Sequence, residues 1–150
     1  MNDTLVEALK GLVADLVAFK LKAHGYHWNV EGDDFREYHA LFGDIYADAE
    51  GSIDSLAENI RKLDAYAPFK LSRLTEMSKI PESDVTSNPM SLSADLLISN
   101  EMIIASLMDA FDVANSSRQQ GIANFLAERI DSHQKWSWQL RSSVKDVETD

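Results

Sequence analysis

Two histidines, His27 and His39, stand twelve residues apart, and Asp54 and Glu58 follow at i, i+4 spacing. Imidazole nitrogen together with carboxylate oxygen suits iron, zinc or manganese, and iron is favoured where the chemistry is oxidation. Asp54 and Glu58 lie one helical turn apart, close enough to meet one ion, and two carboxylates so placed repel unless a cation or base sits between them. His39 and Asp54 are fifteen residues apart, which on one helix is about 60° around the axis but roughly 22 Å along it. A single ion therefore cannot touch both within one chain. Either the two pairs are unrelated sites, or the histidine end of one subunit meets the carboxylate end of another in an antiparallel dimer.

The remaining residues must form a scaffold able to hold such groups. The chain has 150 residues, 45% of them hydrophobic, with only 6 Gly and 3 Pro. That length suits one domain, residues 1–150, and the shortage of turn formers suits helices. The formal net charge of -11 repels nucleic acid and anionic membranes and attracts cations. With no cysteine, disulfides, zinc–thiolate sites, iron–sulfur clusters and thiol catalysis are excluded. The amino terminus carries no basic, apolar signal segment, and no apolar run reaches the roughly 18 residues of a membrane span. A cytoplasmic protein with no membrane partner is expected.

Apolar residues recur at helical spacing from Leu5 through Leu9, Leu12, Leu16 and Phe19 to Ala23. A first helix should begin at a cap on Asp3 or Thr4, with Glu7 completing a capping box, and end between Asn29 and Gly32. A second, capped by Asp33 or Asp34, carries its stripe from Phe35 through Phe42, Ile45, Ala49, Leu56 and Ile60 to about Asp64. Residues 65–91 then form a long connection, with a short helix over Lys70–Ser78 and a polar loop over Pro81–Pro89. A third long helix, capped by Ser91 or Ser93, runs to about Asn115, and a fourth runs from about Gln119 to Val144. The tail Lys145–Asp150 is expected to fray. Four long helices with one long crossover is a bundle whose consecutive helices are not all antiparallel neighbours.

The segment His27-Trp28-Asn29-Val30-x-Gly32-x-x-Phe35-x-x-x-His39, continued by Asp54-x-x-Ala57-Glu58-x-Ile60-Arg61-x-Leu63, resembles the Dps family of twelve-subunit mini-ferritins. The likeness extends over nearly the whole chain, including the short crossover helix and Trp138-Gln139-Leu140-Arg141. It implies an all-α, ferritin-like four-helix bundle with a short helix in the crossover between the second and third long helices. It also implies a homo-oligomer, a dodecameric hollow shell, with His27 and His39 of one subunit facing Asp54 and Glu58 of its neighbour at a two-fold interface. The implied activity is ferroxidase: Fe(II) is oxidised to Fe(III) with hydrogen peroxide or oxygen, peroxide preferred, and ferric mineral is stored in the shell. Few protein ligands per ion leave positions open for oxidant and water. Trp28 would lie beside the site, where the family has a tryptophan that absorbs stray oxidising equivalents.

This chain departs from the family pattern in three places. Gly43 stands where family members often carry a further acidic ligand, and Asp44 next to it points about 100° away on a helix. Gln120-Gly-Ile-Ala-Asn124 replaces the acidic stretch that lines the iron pores. The lysine-rich tail of DNA-binding members is missing, so DNA is not expected as a partner. Asp44 and Asp48, another i, i+4 pair, are read either as cavity groups that nucleate mineral or as a solvated face. His24 and His133 are read as structural, although His24 is close enough in sequence to join the site, and Trp136 and Trp138 are read as packing residues. The competing reading is the same shell with an impaired site, acting as a structural or nucleoid-associated protein.

Overall fold

The stripe that begins at Leu5 does become the inner face of a helix. In the computed structural model, which describes residues 2–145, α1 spans Asp3–Asn29 and buries Leu5, Leu9, Leu12, Leu16, Phe19 and Ala23 almost completely. Helix α2 spans Phe35–Lys62 and buries Phe42, Ile45, Ala49, Leu56 and Ile60, while Phe35 at its start stays exposed. The short α3, Leu71–Met77, lies in the crossover, followed by α4, Pro89–Ser116, and α5, Gln120–Val144. No strand occurs among the described residues. The expected fraying of the tail beyond Lys145 lies outside them.

Three helix starts differ from expectation in their chemistry. α1 begins one residue earlier, with Asn2 at the cap position and no side-chain cap bond, so the Thr4–Glu7 capping box does not form. Asp34 does precede α2, but it is left-handed (φ 61°) and makes no side-chain cap bond. α4 starts before either serine: Asn88 accepts a hydrogen bond from Ser91 N at 3.0 Å, and Pro89 takes the first turn, where its missing N–H costs nothing. Gly32, with φ 109°, reverses the chain after α1 as expected.

The crossover is required by helix direction. Lys22 bonds Ser99, Tyr26 bonds Asp95, and Glu31 N bonds the Ser87 carbonyl, so α1 and α4 run antiparallel. Tyr38 near the start of α2 reaches Met90 near the start of α4 and donates to the Ser143 carbonyl near the end of α5. Thus α2 and α4 start at the same end of the bundle and lie parallel, and residues 63–88 must carry the chain back along its length. That return is pinned where the buried carboxylate of Asp15 accepts from Lys79 N at 2.7 Å.

Candidate metal centre

The turn between α1 and α2 creates the histidine pair. Val30 is extended and buried, and Gly32 and Asp34 take positive φ. This reverses the chain within five residues and sets the last turn of α1 beside the first turns of α2. The carbonyl of His27 would bond the amide of residue 31 if α1 continued, but Glu31 N is drawn to Ser87 instead. His39 Nδ1 uses that free carbonyl at 2.7 Å, and His27 Nδ1 donates to the His39 carbonyl at 2.6 Å.

A carbonyl oxygen can only accept, so both rings carry a proton on Nδ1, and in that neutral tautomer the lone pair is on Nε2. A backbone carbonyl on one ring nitrogen is the usual device for orienting a metal-ligating histidine through the other. The two rings stack with centroids 3.8 Å apart at 16°, and Phe35 stacks on His39 at 5.0 Å. Orientation is therefore built into the fold.

Gly43 has a steric role that the sequence did not disclose. A Cβ placed on it would fall 2.8 Å from His27 Nδ1 and 2.9 Å from Cε1. The ring of His27 lies against the bare backbone of α2 at this point. The missing side chain is thus the seat of a histidine.

The carboxylate pair is elsewhere. Asp54 and Glu58 are exposed on α2, and the helix rise puts Asp54 roughly 22 Å from His39 along the axis. No group of three or more His, Asp or Glu side chains placed for a common ion occurs among the described residues. Within one chain the histidine pair and the carboxylate pair are thus separate groups.

Asp44 and Asp48 differ in their surroundings. Asp44 is exposed. Asp48 is engaged within the bundle: Arg129 grips both its oxygens at 3.0 and 2.7 Å, and Trp136 Nε1 donates to one at 2.8 Å. Burial works to raise this carboxyl, but the hydrogen bonds from Arg129 and Trp136 outweigh it and hold it below the usual carboxylate value. Behind Arg129 sits His133, fully buried, its Nδ1–H donated to Asn100 Oδ1 at 2.7 Å and its Nε2 facing Arg129 at 3.2 Å. Burial, reinforced by the guanidinium, depresses His133 to about 3. His133 is structural, as read, and Trp136 both packs and donates.

His24 is the other histidine of α1, three residues before His27. It stacks on Tyr46 of α2 at 3.6 Å and 12°, with Trp28 4.1 Å away and His27 6.1 Å away. Three aromatic rings from two helices therefore adjoin the histidine pair.

Comparison with known proteins agrees with this architecture. A ferritin-like domain matches residues 6–149. A low temperature-induced protein of Nostoc is 30% identical over 144 residues, covering 94% of this chain and 80% of that protein. The DNA protection during starvation protein 2 of Bacillus anthracis is 25% identical over 142 residues, covering 95% and 97%. Among solved structures, Dps from Vibrio cholerae, described as a member of a broad superfamily of ferritin-like diiron-carboxylate proteins, superposes with a TM-score of 0.92. It is 28% identical, with 96% of this chain and 91% of that one covered. Dps from Bacillus brevis gives a TM-score of 0.91 at 25% identity, with 96% and 97% covered.

Proposed function

This chain belongs to the Dps family of ferritin-like proteins, and on that footing we propose that it is a ferroxidase and iron store. Its site is completed between subunits. His27 and His39 of one subunit hold Fe(II) through their Nε2 atoms, and Asp54 and Glu58 of the neighbour close the ligand set. Iron enters as substrate, loses an electron to hydrogen peroxide or oxygen, and leaves as Fe(III) for a mineral core inside a shell of twelve copies. Asp44, exposed on α2, is the remaining candidate for mineral nucleation, because the Asp48 oxygens are occupied by Arg129 and Trp136.

The observation that carries this reading is the reciprocal bonding of the histidines. Each Nδ1–H is held by the other residue's carbonyl, which leaves Nε2 as the ring nitrogen available to an ion. Preset orientation of this kind spares the site an ordering cost on binding. Two histidines leave an ion short of ligands, and exposed Asp54 and Glu58, one turn apart, are the complementary half.

Apolar surface supports association of copies. Trp28 is 59% exposed, Leu21 58% and Leu71 80%, and Leu21 and Leu71 line one groove. No described helix is long and apolar enough to cross a membrane, and a cytoplasmic location is part of the proposal.

The test is stopped-flow absorbance after anaerobic Fe(II) loading and mixing with peroxide or air, on wild type and His27→Ala/His39→Ala. Rapid ferric formation in the wild type, abolished in the double variant, is the expected result. Equal, slow oxidation in both would leave the shell without its ferroxidase, which is the competing structural reading.

A further inference from the structure

The two histidines are held by carbonyls of unequal standing. His27 Nδ1 donates to the His39 carbonyl at 2.6 Å, and His39 lies inside α2, where the helix itself fixes that oxygen. His39 Nδ1 donates to the His27 carbonyl at 2.7 Å, but His27 lies in the last turn of α1, where no helical amide follows to fix its oxygen. The direction of the His27 carbonyl therefore depends on the chain just beyond α1. There Val30 is extended, and Glu31 N donates to the Ser87 carbonyl at 3.0 Å, which joins the α1–α2 turn to the crossover. Ser87 is itself held from the far side. Its neighbour Asn88 accepts from Ser91 N at 3.0 Å through the side chain and from Leu92 N at 2.9 Å through the backbone, so the start of α4 anchors it.

We propose that Ser87 is a positioning residue for His39: its carbonyl, anchored by α4, clamps Glu31 N and so fixes the end of α1 whose His27 carbonyl aims the His39 ring. The inference rests on the reading of His27 and His39 as metal ligands. The clamp acts through two successive hydrogen bonds, Glu31 to Ser87 and His39 to His27, and makes a ligand pair carried by α1 and α2 answer to a third helix. It leaves a mark that general loosening of the turn does not. Loss of the clamp releases His39 but leaves His27 aimed, because the acceptor of His27 is held within α2. Ring stacking alone would hold or release the two together.

The experiment breaks the clamp from either side. Glu31→Pro removes the donor at a position preceded by Val30 (φ -61°, ψ 140°), the backbone that a following proline favours. Glu31→Ala removes the exposed carboxylate but keeps the N–H. Ser87→Gly/Asn88→Gly loosens the acceptor and deletes its anchor on α4. Each is read by cobalt(II) titration of the assembled protein and, without metal, by solid-state 15N nuclear magnetic resonance of histidine-labelled protein, with His39 assigned by its loss in His39→Gln. Glu31→Pro and the glycine variant should each weaken cobalt binding about 10-fold, the lower end for loss of an orienting contact, while Glu31→Ala leaves it unchanged. Combining Glu31→Pro with the glycine pair should weaken it no further, because both cut one bond. The His39 signal should change from the Nδ1-protonated form to a mixture of tautomers, with that of His27 unaltered. Wild-type affinity in Glu31→Pro, additive losses in the combined variant, or His27 and His39 changing together overturns the proposal. Should Glu31→Pro fail to assemble, the His39 signal of the glycine variant decides: a mixture supports the clamp, and an unchanged signal overturns it. Should the wild type bind no cobalt, the metal reading fails, and the same signal in the metal-free protein decides the clamp by itself.

Discussion

Arg129 of α5 meets Asp48 of α2 through two parallel hydrogen bonds, at 3.0 and 2.7 Å, and this fork is a main polar link between the two helices. Arg129 is 11% exposed at its side chain and Asp48 29%. Its Nε has no hydrogen-bond partner, so the guanidinium relies on Asp48 for its compensation.

Asp48→Ala should therefore destabilise the protein by ~3 kcal/mol, the low end for stranding a buried charge, because Asp48 is partly exposed. Asp48→Asn, which keeps acceptor capacity, should cost less. Urea unfolding at fixed protein concentration measures both, and a loss within error of zero for Asp48→Ala would show that the fork is only a surface pair.

Stability should fall with acid through His133. Its folded pKa, about 3, lies below the ordinary 6.5, so the unfolded chain binds the extra proton between these values. The contribution is complete above pH 6.5 and is lost as pH falls toward 3. Asp48, held below 3.8, adds a loss in the same direction at still lower pH. Urea midpoints measured from pH 7 to 4 should decline in the wild type and decline less steeply in His133→Gln. Parallel declines would assign the acid sensitivity to other groups.

Gly43→Ala tests the seat of the His27 ring. A methyl group at 2.8 Å from Nδ1 must push the imidazole away and break its bond to the His39 carbonyl. Loss of such an orienting contact typically lowers metal affinity by about 10- to 100-fold, which a cobalt(II) titration of the assembled protein reads directly. Far-ultraviolet circular dichroism should stay unchanged. Unaltered cobalt affinity would show that the seat of the His27 ring at Gly43 does not govern metal binding.

DNA should not bind at physiological salt. The net charge of -11 opposes the phosphate backbone, whose neutralisation supplies non-specific affinity. A retarded band in a gel-shift assay at that salt, abolished by adding more, would show a basic patch strong enough to overcome the chain's overall field.

The bundle was largely legible before folding because its information is periodic. Leu5, Leu9, Leu12, Leu16 and Phe19 repeat at the spacing that makes one helix face, and all are buried. Helix starts were less legible. Ser, Thr, Asn and Asp crowd each boundary, and only the backbone path decides which of them caps, as Asn88 does in place of Ser91 or Ser93. Gly43 was visible only as an absence, because what fills its space comes from another helix. Asp48 was grouped with Asp44 by spacing, and its true partner, Arg129, lies 81 residues away.

What the sequence by itself determined is therefore local and periodic: four long amphipathic helices, the ligand types, and the separation of His39 from Asp54 that denies them a shared ion in one chain. Helix rise is a constant, so that last conclusion needed no coordinates. Tertiary structure alone decided how the histidines are held, that Gly43 seats one of them, that Asp48 belongs to Arg129, and that His24 stacks on Tyr46. Each is a contact between residues on different helices. Such contacts depend on the relative rotation and offset of packed helices, which no repeat within one segment encodes.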